Sequence, residues 1–75
     1  MKIPLELIEE GYKAGATKII AVEIKDETTR RLIVYVPAEG LKREKVFRWH
    51  SVVTQECGWD PDDDWGQNEL FIFLD

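Results

Sequence analysis

The sequence predicts a small α+β domain of order α-β-β-α-β, two helices with a three-stranded sheet, spanning residues 1–75 as one unit. Three observations carry this. The stretches Pro4–Ala14 and Leu41–Cys57 repeat apolar residues at helical spacing. The runs Thr17–Lys25, Arg30–Val36 and Leu70–Leu74 are short and rich in β-branched or apolar residues. Seventy-five residues leave room for a single core.

The first helix is expected from Pro4, whose missing N–H costs nothing in a first helical turn. Glu6, Glu9 and Glu10 lie where the helix dipole favours negative charge, and Leu5, Ile8 and Tyr12 form the apolar stripe. Gly15 is a natural stop. Gly11, inside the helix, weakens it by ~1 kcal/mol relative to Ala and points to a close backbone approach. Thr17–Lys25 and Arg30–Val36 read as a hairpin around the polar Asp26-Glu27-Thr28-Thr29, and Pro37 ends the second strand. Residues 41–57 are uninterrupted by Gly, Pro or Asn and too long for a typical strand, so a helix is expected, with Val46, Trp49, Val53 and Cys57 on its buried face. Val46–Val53 also alternates passably as a strand, and the alternative fold is one helix on a four-stranded antiparallel sheet. Gly58–Glu69 is a loop. The five apolar residues Leu70–Leu74 suggest a strand buried on both faces, hence interior to the sheet.

Hydrophobic residues make up 44% of the chain, enough for a core but with little margin in a domain this small. The single cysteine, Cys57, cannot form an internal disulfide. One Cys and one His fall short of a structural zinc site, which takes four ligands. A lone thiol fits a reducing compartment, and the acidic N-terminal stretch does not resemble a signal peptide. No apolar run approaches the ~20 residues that span a bilayer. A cytoplasmic protein is the expectation. The net charge of −5 is uneven: −1 over residues 1–24, +3 over 25–48 and −7 over 49–75. Such separation either neutralises itself within the fold or orients a partner.

The acidic loop is the most specific feature. Asp60, Asp62 and Asp64 alternate like the opening ligands of a calcium loop. The comparison fails at the sixth position, Trp65 in place of Gly, and at the twelfth, Phe71 in place of Glu. With Asp63 included, the loop would hold a hard cation weakly, and a solvated turn is the plainer reading. Mutual repulsion implies that Asp60→Asn/Asp62→Asn/Asp64→Asn together should leave the fold intact and, if anything, stabilise it. Trp59 and Trp65 bracket these carboxylates; aromatics so placed either cage a cationic group or pin a long loop, and pinning is favoured.

His50 and Cys57 lie seven residues apart, about 10 Å of helical rise, too far for a nucleophile and its base. His50 is expected at the boundary of the apolar stripe and Cys57 within it. No Gly-rich phosphate loop, nucleophile elbow or zinc helix is present. No cofactor and no catalytic residue is assigned, so an enzyme is not expected. The cluster Lys42-Arg43-Glu44-Lys45 with Arg48 raises nucleic-acid binding, but the chain is acidic and lacks stacking aromatics of the RNP type. The expected function is a small non-catalytic protein-interaction or regulatory module that self-associates as a homodimer, with no membrane partner. The alternatives are a weak divalent-metal-binding domain using residues 60–64 and an antitoxin-like nucleic-acid-associated regulator. The case for a dimer is that all three strands carry apolar residues on both faces: the long helix covers one, and the short first helix covers only part of the other, the alternative being a complete monomer with the two helices on opposite faces.

Overall fold

The computed structural model describes residues 3–26 and 28–73. Its elements are β1 (Ile3–Pro4), α1 (Glu6–Ala14), β2 (Lys18–Val22), β3 (Thr28–Thr29), β4 (Arg31–Tyr35), α2 (Leu41–Glu56) and β5 (Glu69–Phe73). The fold is α+β, with β2, β4 and β5 forming a three-stranded antiparallel sheet in that spatial order. Two elements were not expected: β1 and β3 pair as a separate two-residue ribbon, Ile3 opposite Thr29 and Pro4 opposite Thr28. Pro4 therefore belongs to β1, and α1 starts two residues later. Glu27 of the expected turn and Leu74 of the expected last strand lie outside the described residues.

The hairpin is shorter than its sequence suggests. β2 stops at Val22 because Glu23 takes a left-handed backbone, φ 59°, a conformation costly for a residue with a Cβ. The chain then closes through Lys25 and Thr28, which exchange both backbone hydrogen bonds. The buried Thr29 hydroxyl donates to the Val22 carbonyl and accepts from the Arg31 N–H at 3.3 Å. It thus satisfies backbone groups where the ladder is interrupted.

Both helices end in the same way. Beyond α1, the Gly15 N–H bonds to the Tyr12 carbonyl and the Ala16 N–H to that of Gly11. Beyond α2, the Gly58 N–H bonds to Gln55 and the Trp59 N–H to Thr54. These are Schellman caps, and the glycine in each supplies the required positive φ, 127° and 87°.

One parity of the sheet makes the core. Ile19, Val34 and Leu70 share a row, as do Ala21, Leu32 and Ile72. Leu32, Val34, Leu70 and Ile72 are fully buried, and residues from both helices pack on them, among them Leu7, Ile8, Val46 and Val53. Hence α1 and α2 lie side by side on the same face, rather than covering opposite faces as the sequence suggested. β5 is correspondingly an edge strand, and β4 is interior. The apolar run of β5 reflects one face in the core and one face bare.

The buried face of α2 is rotated from the expected stripe. Arg43, Val46, His50, Val53 and Thr54 are buried, while Trp49 and Cys57 are half-buried at its margin. His50 is thus central, not peripheral. Trp49 packs where α1 meets α2 and β2, against the backbone of Gly11. The sequence-based expectation of a close approach at Gly11 is met.

Candidate functional site

The sheet face opposite the helices is the first candidate. Along it run three rows: Lys18, Tyr35 and Glu69; Ile20, Ile33 and Phe71; Val22, Arg31 and Phe73. None of these residues belongs to the core cluster. Phe71 and Phe73 are 40% and 43% exposed, and their rings stack at 5.7 Å and 7° between planes. The Arg31 guanidinium sits 5.9 Å from the Phe73 ring centroid, at the outer reach of a cation–π contact.

The second candidate is the acidic loop, and its anchor was missed in the sequence. Arg43, assigned to a basic surface cluster, is 6% exposed. Its Nε and Nη2 donate to the two carboxylate oxygens of Asp64 at 3.1 and 2.6 Å. Nη1 donates to the Pro37 carbonyl and Nη2 to that of Gln67. The guanidinium also lies 5.0 Å from the Phe47 ring centroid. This forked pairing is the strong form of an Arg–carboxylate contact. Its hydrogen bond to Asp64 raises the Arg43 pKa, and the same bond, followed by the Gly66 N–H, holds the Asp64 carboxyl below its usual value. Gln67, also buried, donates to the Asp63 carbonyl and accepts from the Trp65 N–H.

The loop is therefore held by Arg43 and Gln67, not by its tryptophans: Trp59 is 51% and Trp65 78% exposed. The sequence signal was an arginine in the first turn of α2 with Val46 and Phe47, not acidic residues, three and four positions on. Both carboxylate oxygens of Asp64 are engaged by Arg43, and among the described residues no three His, Cys, Asp or Glu side chains converge as metal ligands would. Asp60 and Asp62 are exposed, and Asp62 does not share the ion pair of Asp64.

The structure separates Trp59 from Trp65. Trp59, Asp60 and Asp62 join His50, Thr54, Phe71 and Phe73 around a cavity of about 310 Å³ beside β5. Trp65 is not part of it. His50 is 1% exposed, and its Nε2 lies 2.8 Å from the Phe71 carbonyl oxygen. Its Nδ1 is buried without a partner. Cys57 closes α2, half-buried; burial, then the neighbouring Glu56, pushes its thiol pKa up. That is the setting of an inert thiol rather than a nucleophile. No described helix is long and apolar enough to cross a membrane. No family model, curated protein or solved structure matches the chain, so its function is argued from its own residues.

Proposed function

We propose that the chain is a small non-catalytic interaction module that self-associates through the bare face of its sheet. The observation that carries this is the placement of both helices on one face, which leaves Ile20, Val22, Ile33, Phe71 and Phe73 together on the other. Contiguous apolar surface of this kind marks association sites.

The face suits a second copy. Lys18 and Glu69 occupy opposite ends of one row, on β2 and β5. A two-fold axis parallel to the strands lays β2 of one protomer over β5 of the other. Each Lys18 then meets the partner's Glu69, twice over, with the apolar rows between the protomers. This is the self-complementarity an isologous interface needs. Three strands of five residues make a flat footprint of roughly 250 Å² at ordinary strand spacings. A standard interface uses about 800 Å² per partner. Association by this face alone is accordingly weak.

Sedimentation equilibrium from micromolar to millimolar protein tests the proposal. A concentration-dependent rise from 8.8 kDa toward twice that mass is expected. Lys18→Glu should weaken the dimer, and Lys18→Glu with Glu69→Lys should restore it. A single 8.8 kDa species throughout rejects self-association, and a charge swap without restoration rejects the axis.

A further inference from the structure

We infer that the cavity beside β5 is a binding site for an organic cation, an alkylammonium or guanidinium group. The argument starts from His50. A carbonyl oxygen only accepts, so the 2.8 Å contact with Phe71 requires Nε2 to carry the proton. In the tautomer this bond selects, Nδ1 presents a lone pair, and that lone pair is buried with no donor. Thr54, the next lining residue, donates its hydroxyl hydrogen back to the His50 carbonyl at 2.9 Å. Only its lone pairs remain. Asp60 and Asp62 contribute carboxylates, which accept. Trp59, Phe71 and Phe73 contribute aromatic rings, whose faces attract cations.

Apart from the Trp59 indole N–H, the free polar side-chain functions named around this cavity are acceptors, and the apolar lining is aromatic. An anion finds one side-chain donor here, the Trp59 indole N–H, set against the Asp60 and Asp62 carboxylates that repel it. A group with several N–H donors and a positive charge matches the carboxylates, the Thr54 lone pairs and the ring faces, and lies beside the His50 imidazole. A volume of about 310 Å³ suits one such group with a short alkyl stem, at the lower end of small-ligand pockets, ~300–1,000 Å³. The same chemistry arises from a lysine or arginine side chain of a polypeptide and from a free amine.

The test is a titration of the full chain, followed through the His50 imidazole and Trp59 indole NMR resonances. The probes are butylguanidinium, butylammonium, the neutral isostere butylurea, and a capped pentapeptide with one arginine among glycines. Saturable shifts with the cations and none with butylurea are expected. Asp60→Asn/Asp62→Asn changes only exposed side chains, so it should fold normally and weaken cation binding about tenfold, equivalent to ~1.4 kcal/mol. Tighter binding of the peptide than of butylguanidinium assigns the source to a polypeptide, and the reverse to a free amine; either result upholds the site. Absence of saturation to millimolar cation, equal binding of butylurea, or unchanged affinity in the Asn variant overturns it. Because Phe71 and Phe73 belong to both the cavity and the sheet face, the titrations are run at a protein concentration where sedimentation shows only the monomer, so that failure of the site is distinguished from dimerisation.

Discussion

Replacing Gly11 by Ala should destabilise the protein, although the same change in an exposed helix would stabilise it. Gly11 is buried in the middle of α1. A Cβ there would stand 2.5 Å from Ile19 Cδ1, 2.8 Å from Trp49 Cη2 and 3.1 Å from Trp49 Cζ2. All three distances fall well inside carbon–carbon contact, ~3.5–4.0 Å. Helix propensity favours Ala by ~1 kcal/mol. Overpacking a close-packed contact by one methyl costs about 1–3 kcal/mol. Ile19 Cδ1 ends a flexible side chain and can turn aside. The Trp49 ring is rigid and lies between α1, α2 and β2, so the clash is only partly relieved. The net loss should be about 1 kcal/mol, which lowers the melting temperature by about 4–8 °C in a domain of this size. Thermal melts at one fixed protein concentration measure it, since self-association would otherwise enter. Ile19→Val, which deletes Cδ1, should cost about 0.5–1.5 kcal/mol alone and less in the Gly11→Ala background. A Gly11→Ala protein that melts several degrees higher than the parent would refute the reasoning. It would mean that α1 does not approach Trp49 this closely.

Two further outcomes are expected. Asp64→Asn should destabilise the fold, because it leaves the Arg43 charge buried without its counter-ion, whereas Asp60→Asn/Asp62→Asn should be neutral or slightly stabilising. The depressed Asp64 pKa means that its contribution is complete above the unfolded value of 3.8 and is lost as pH falls through the lower folded value. Urea melts of parent and Asp64→Asn should therefore differ at pH 7 and converge well below pH 4; a constant difference would disprove the linkage. Cys57 should react slowly with a thiol reagent at neutral pH until denaturant is added, because burial raises its pKa. Rapid modification of the native protein would contradict that assignment.

How much of this was legible depends on whether the signal is local. Both helices, their glycine stops and the three main strands follow from patterns within a few residues, and they stand in the structure. The β1–β3 ribbon does not, because a two-residue pairing between residues 24 and 26 apart leaves no periodicity to read. The triple-aspartate expectation assumed repulsion within the loop. It fails for Asp64 because the partner, Arg43, is 21 positions upstream. His50 was placed at the stripe's edge on hydrophobicity alone. Its burial follows from a backbone carbonyl on β5, an acceptor that any sequence would provide and that none advertises. The bare sheet face was legible as an excess of apolar residues, but not the reason for it. Three apolar-on-both-sides strands are compatible with helices on one face or on two, and only the packing of Leu7, Ile8, Val46 and Val53 onto one parity decides between them.

That packing also bears on how copies would associate. A three-stranded sheet offers two routes, through its edges or through its face. At the β2 edge, the Tyr12 phenol of α1 accepts the Ile19 N–H at 2.9 Å. At the β5 edge, His50 of α2 donates to the Phe71 carbonyl. Each helix thus lays one polar side chain over the edge beside it, at the second residue of β2 and the third of β5. A second chain adding to either edge would have to displace that side chain, and at β5 it would strand a fully buried imidazole. Packing through the face displaces nothing: Ile20, Ile33 and Phe71 already share one row, and Lys18 and Glu69 bound another. The physical economy of the fold therefore favours association through the face, and leaves the cavity beside β5, where His50 keeps one unused lone pair, for a different occupant.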